Sequence, residues 1–197
     1  MFLDLLRGEG FAKANPRPMF PNPPGLLRLE PLSETLRDRI WWGAGSNATA
    51  EWAAKLGMNL QSSTLKNDET GEPFSVQQAM QIRAYRAAWK EAGHTLAPRV
   101  SVSRSIIALM NDADRTYFGH EGGGEDQIGL LGERTRAIFG RTYAAEPEAL
   151  IEELKADEAI AEADTLLLTV PNQLGVDYNA HVLEAILTHV APALGWR

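Results

Sequence analysis

Four short apolar runs, each leaving through a turn into a helix-forming segment, constrain this chain more than any other feature. The strand-forming runs fall at 39–42, 58–63, 99–109 and 165–170. Helical spacing of apolar residues follows at 48–56, 75–92, from Pro147 onward and at 178–194. Strands that alternate with helices imply parallel pairing and right-handed crossovers. The run Leu166-Leu167-Leu168 is too continuously apolar for an edge strand in water. The expected fold class is therefore α/β with parallel strands.

The first unit carries the most chemistry. Ile40, Trp41 and Trp42 suit a covered strand, and Gly43 and Gly45 let the backbone turn tightly and approach a ligand. Ser46 or Asn47 is placed to cap the following helix, with Trp52, Ala53 and Leu56 on its core face. A small-residue turn opening a helix presents backbone N–H groups and the positive end of a dipole, which suit a phosphate. The stretch lacks both the full Gly-x-Gly-x-x-Gly fingerprint and a P-loop lysine, so an ordinary capped turn is the simplest alternative.

The other elements read more plainly. Residues 1–7 have the pattern of a helix tail, and a proline-rich arm runs through Asn15 to Pro24. The long helix at 75–92 is expected to bury Val76, Met80, Ile82, Tyr85 and Trp89. The stretch 111–126, with Gly122, Gly123 and Gly124, reads as a mobile loop, and 127–139 reads as a further helix. On the last helix, Val182, Leu183, Ile186 and Val190 are expected to face inward. Arg104, near a strand end, fits either a phosphate or carboxylate contact or an internal salt bridge. The four histidines, His94, His120, His181 and His189, are dispersed without metal-ligand spacing, and no metal site is expected. Ser103 and Ser105 have no evident His–Asp partners, so serine nucleophile chemistry has no support.

Composition narrows the partners. A net charge of −7 without a basic stripe argues against nucleic acid. With no cysteine there is no disulfide or thiolate chemistry, which is compatible with a cytoplasmic protein. No apolar run approaches the roughly 20 residues of a membrane span.

Four segments together resemble one family. They are Arg39-Ile-Trp-Trp-Gly-Ala-Gly-Ser46, Ala53-Ala-Lys-Leu-Gly-Met-Asn-Leu60, Pro98-Arg-Val-Ser-Val-Ser-Arg-Ser105 and Ala163-Asp-Thr-Leu-Leu-Leu-Thr-Val-Pro-Asn172. In this order they are similar to the C-terminal half of the luciferase-like, flavin-dependent monooxygenases. The resemblance implies part of a (β/α)8 TIM barrel: an N-terminal helix tail and proline-rich arm at 1–38, then about four βα units at 39–197. A whole barrel takes about 250 residues. It also implies a reduced flavin, FMN, that activates oxygen toward a small organic substrate, with a deazaflavin-using dehydrogenase as the related alternative. The flavin phosphate would meet Gly43, Gly45, Ser46 and Asn47, with Arg104 as a further candidate contact. The family's catalytic side chains come largely from N-terminal strands without counterpart here, so no catalytic residue is assigned. In the family a Gly-Ser/Thr-Pro-Glu turn often precedes the seventh helix; here it is Ala145-Glu146-Pro147-Glu148, and a carboxylate there repels phosphate. A half-barrel leaves two sheet edges and one face open, from which an apolar inner face and a homo-oligomer, or a complementary N-terminal half, are expected. The alternative is a non-catalytic half-barrel.

Overall fold

The computed structural model describes residues 2–15, 21, 24–68, 70–120, 124–131 and 135–196. Most of the proline arm, including Pro16, Pro18 and Pro23, and the glycines at 122 and 123 lie outside the described residues. The chain divides into two compact units, 1–41 and 42–197. The first holds a one-turn helix α1 (Phe2–Leu5), a two-stranded antiparallel ribbon of β1 (Ala12–Lys13) and β2 (Leu26–Leu27), and a 3-10 turn at Arg37–Arg39. Gly10 is required in that ribbon, because a Cβ there would meet the Leu26 Cβ at 2.3 Å.

The second unit holds β3 (Trp41–Ala44) from its second residue and α2 (Asn47–Lys55), then β4 (Asn59–Ser62), the short β5 (Leu65–Asn67) and α3 (Phe74–Glu91). It continues with β6 (Val100–Ala108), α4 (Asp112–Phe118) and a hairpin of β7 (Gln127–Leu131) and β8 (Thr135–Phe139). Last come β9 (Tyr143–Ala145), α5 (Pro147–Lys155), α6 (Glu158–Glu162), β10 (Thr165–Thr169) and α7 (Gly175–Ala185), which runs on through a π segment, Ile186–Val190, and a 3-10 turn, Ala191–Leu194.

The main sheet has the order β3-β4-β6-β10, with β6 parallel to both β4 and β10. Its spatial order follows its sequence order. β9 adds a short parallel pairing, Ile106 to Ala108 against Tyr143 to Ala145. Helices cover one face. Leu60, Val100 and Val102 pack with Ala50, Ala54, Ile82, Tyr85 and Trp89. Ile106 packs with Leu150, Leu154, Val182 and Ile186. The Tyr85 hydroxyl donates to the Met58 carbonyl at 2.8 Å, so this core ring leaves no polar atom stranded.

Several expectations are corrected. The described residues of 127–139 form no helix: β7 and β8 pair antiparallel, and β5 joins the other side of β8 through Leu65↔Phe139 to Asn67↔Ala137. The sheet content is therefore mixed. The stretch read as a mobile loop contains α4, whose Asn111 cap accepts from the Asp114 amide while the Asp114 carboxylate accepts from the Asn111 amide. On α3, Met80 is 41% exposed and Val76 only partly buried; Gln77, Gln78 and Gln81 are buried instead. Their amides reach polar groups at the strand ends, an option that Met and Val lack. Trp52 and Leu183 lie more than a third exposed, at 45% and 37%.

The face turned away from the helices is also not the apolar surface expected. Alternation along the strands places Gln61, Ser101, Ser103, Ser105, Thr165 and Thr169 there, with the apolar Trp41 and Leu167 among them, so the face is mixed. The Ser101 hydroxyl donates to the Gln61 side-chain carbonyl across the β4–β6 pair.

Candidate functional site

In an open parallel sheet the strand ends that feed helices gather turns, amides and hydroxyls at one rim. Here that rim holds the Gly43–Asn47 turn, the Ser62–Thr64 exit of β4, the later half of β6 and the end of β10.

The turn is built by its neighbours. The Ala44 carbonyl accepts from the Ser63 amide at 3.2 Å and from Gln81 Nε2 at 3.3 Å, and the Gly45 carbonyl accepts from the Asn67 amide at 2.8 Å. Thus α3, β4 and β5 all fix its path. Ser46 is the N-cap of α2: its Oγ accepts from the Thr49 amide at 3.3 Å, and its own amide donates to the Thr49 hydroxyl at 3.3 Å. The capping alternative is realised at Ser46, while Asn47 is the first helical residue. A Cβ on Gly43 would meet nothing within 4 Å, so packing does not demand glycine there. One on Gly45 would sit 3.4 Å from the Leu65 carbonyl, an ordinary contact. The first turn of α2 carries no acidic residue, so nothing in it repels an anion. Small residues, open space above Gly43 and an uncharged helix start fit the phosphate end of a flavin. The Ser46 hydroxyl would have to share its capping bonds to join in.

Arg104 is placed elsewhere. Its side chain points to the helix face and pairs with Asp157, Nε to Oδ2 at 2.7 Å and Nη2 to Oδ1 at 3.0 Å, with the two side chains 2% and 0% exposed. The internal salt bridge is the alternative that the structure realises. Nη1 donates to the Ser103 carbonyl at 2.9 Å, and the guanidinium lies 5.5 Å from the centre of the Phe74 ring. Asp157 also accepts from the Tyr143 hydroxyl at 2.7 Å and from the Ala159 and Ile160 amides at 2.9 Å, which caps α6. Burial pushes its carboxyl up, yet the Arg104 bonds and charge outweigh that and hold it below its ordinary value. The same burial and carboxylate push the Tyr143 phenol up to about 12.

Beside this pair lies a cavity of about 330 Å³ at the rim. Hydroxyl residues Thr64, Ser103, Ser105, Thr142 and Thr169 line it, with Phe74, Phe139 and Arg141. Its size and mixed lining suit a small ligand held by hydrogen bonds. Arg141 is oriented by Glu153 at 2.9 Å and stands 4.5 Å over the Tyr143 ring. Arg104 also borders the cavity, although its side chain is committed to Asp157. Sequence reasoning assigned no binding role to the cavity's threonines. Their signal was modest: Thr64 and Thr169 sit where apolar runs end.

A second cluster joins α4 to α7. Asp114, wholly buried, accepts from the Met110 amide at 2.9 Å, the Tyr178 hydroxyl at 2.6 Å and His181 Nε2 at 3.0 Å. Burial raises its carboxyl and these donors, Tyr178 and His181 foremost, lower it further than burial raises it. Among the described residues no group of His, Asp and Glu has metal-binding geometry. No described helix is long and apolar enough to cross a membrane.

No protein-family model matches the chain, and no curated protein matches it. Among solved structures, the crystal structure of monooxygenase RslO1 from Streptomyces bottropensis matches with a TM-score of 0.57 at 15% identity, over 98% of this chain and 58% of that one. Identity that low carries the fold alone: this chain shares an α/β fold with a monooxygenase and spans little more than half of that protein's length.

Proposed function

We propose that the chain is the C-terminal half of a luciferase-like (β/α)8 barrel, with a flavin phosphate at Gly43, Gly45, Ser46 and Asn47. The reading is oxidoreductase chemistry on a small organic substrate, with FMN as cofactor. One observation carries it: the turn at the start of α2 and the hydroxyl-lined cavity lie at the same rim of four strands ordered as consecutive barrel strands. In barrels that rim is where ligands bind. The fold likeness to a monooxygenase over 58% of its length supports the same reading.

When bound, reduced flavin would supply the oxygen activation, while the protein supplies binding, orientation and exclusion of water. This chain's part would be to hold the phosphate against the α2 amides and to seat polar substrate groups on Ser103, Ser105 and Thr169. Arg104 is assigned a positioning role: it anchors the end of β6 to α6 through Asp157, without a phosphate contact. The second reading is a half-barrel subunit without activity of its own. The purified chain, mixed with FMN and scanned across the flavin bands, separates these readings. Retained flavin with little turnover alone is the expected result. A colourless protein that takes up no flavin would leave the non-catalytic half-barrel.

A further inference from the structure

The serine and threonine hydroxyls near the rim fall into two groups. Those outside the cavity of about 330 Å³ are bonded within the chain: Ser62 Oγ donates to Gln81 Oε1 at 2.7 Å, Ser63 Oγ accepts from the Leu65 amide at 3.3 Å, and Ser101 donates to Gln61. Those lining the cavity are not. The hydroxyls of Thr64, Ser103, Ser105, Thr142 and Thr169 make no hydrogen bond to a described residue, and neither does the Gln127 side-chain amide. All of these groups can both donate and accept. Charge is arranged the opposite way. Among the described lining residues none is acidic, and both arginines are already held by carboxylates outside the lining, Arg104 by Asp157 and Arg141 by Glu153. A charged ligand would therefore leave water without gaining an unpaired counter-charge. Phe74 and Phe139 supply the apolar part of the wall.

We infer that this cavity takes an uncharged, ring-sized ligand with a hydroxyl on an apolar body, the chemistry of a phenol. The inference rests on the reading of the cavity as the substrate seat and names the class of substrate; it does not need the flavin phosphate at α2. A carboxylate only accepts and an ammonium only donates, so neither matches a set of hydroxyls that do both. A phenolic O–H does match them. The register places its seat: Thr169 on β10 stands opposite Ser105 on β6, both on the face turned from the helices. Adjacent strands run about 4.8 Å apart, so one ligand oxygen set above that pair reaches both hydroxyls at about 2.8 Å, donating to one and accepting from the other. The volume lies at the small end of ligand sites, which suits a single substituted ring. A polyol of that size would leave the two phenylalanines without an apolar partner.

The test titrates the full chain at neutral pH with 4-methylphenol, 4-methylanisole, 4-methylbenzoate and myo-inositol, read by calorimetry. The first both donates and accepts, the second only accepts, the third is a carboxylate and the fourth a polyol. The expected result is binding of 4-methylphenol at millimolar concentration or better, with each of the others at least about tenfold weaker. Ser105→Ala and Thr169→Val should each weaken 4-methylphenol about two- to tenfold, the range of one hydrogen bond. Neither hydroxyl is bonded within the described chain, so the thermal midpoint of both variants should stay at the wild-type value. Absence of 4-methylphenol binding would overturn the inference. So would 4-methylbenzoate or myo-inositol binding as tightly, or affinity for 4-methylphenol that survives both substitutions together. FMN is titrated separately. FMN bound without 4-methylphenol would sink only this inference, and 4-methylphenol bound without FMN would sink only the flavin reading. FMN affinity lost in the Ser105 and Thr169 variants would give the cavity to the cofactor and overturn its role as substrate seat.

Discussion

Replacing Arg104 by methionine separates a structural arginine from a ligand-binding one. In the folded protein the guanidinium makes two bonds to a carboxylate that is 0% exposed, at 2.7 and 3.0 Å. Removing one partner of such a pair leaves a charge in low dielectric and costs about 3–5 kcal/mol. Asp157 keeps the Tyr143 hydroxyl and two amides, so the loss should fall near the lower end, about 3 kcal/mol. The pH dependence follows from the sign of the shift. In the wild type the carboxyl is held low, so its stabilisation is complete above the ordinary value of about 3.9 and fades as pH falls through the lower folded value. In Arg104→Met burial is no longer opposed by that charge, the carboxyl rises, and protonation relieves the stranded anion. Urea unfolding should therefore show the largest gap between the two proteins at neutral pH and a smaller gap near about pH 4. A loss under about 1 kcal/mol at neutral pH, or a gap that does not narrow on acidification, would refute the buried-pair account. Lost FMN affinity with stability intact would return Arg104 to the phosphate.

Other substitutions probe the rest of the rim. Gly140→Ala brings a Cβ to 2.6 Å from the Phe74 ring, which is 2% exposed, so thermal unfolding should report a loss of about 1–3 kcal/mol. Tyr178→Phe removes one donor from buried Asp114 and should cost about 1–3 kcal/mol in urea; its lowered carboxyl makes the loss greatest above the ordinary carboxylate range and smaller in acid. Monomeric protein supplied with reduced FMN and oxygen should form little or no oxygenated product, and efficient coupled turnover by a monomer would contradict the half-barrel reading.

The legible parts of the fold were those decided locally. The run Leu166-Leu167-Leu168 announced its strand, and Gly-Ser before Ala48 announced the start of α2. Residues 127–139 misled because Leu, Glu, Arg and Ala are helix formers, whereas the pairing of Ile138 with Lys66 that makes them a sheet spans a distant part of the chain. Even so, Ile128 and Leu130 alternate around Gly129, a strand signal outweighed by composition. The buried glutamines of α3 were invisible for a similar reason: Gln78 and Gln81 donate to carbonyls at the ends of β4 and β3, and Gln77 donates to the Asp68 carboxylate and the Glu72 carbonyl. Arg104 was legible as a residue of consequence, but its partner lies 53 positions away. No local pattern reports such a contact.

The central claim is a flavin phosphate at the start of α2, and Ser46 tests it most directly. Aspartate caps a helix as well as serine does and suits the helix dipole, so Ser46→Asp should keep or slightly raise the melting temperature. Ser46→Ala, by contrast, should lose about 1 kcal/mol of cap. A carboxylate about 4 Å from a phosphate costs about 1 kcal/mol in water and about 4 near a protein surface, or roughly fivefold to several hundredfold in affinity. FMN titration of the wild type and Ser46→Asp is the decisive measurement. The account predicts binding by the wild type and at least about fivefold weaker binding by a fully folded Ser46→Asp. Equal affinity, or no binding by either protein, would contradict it.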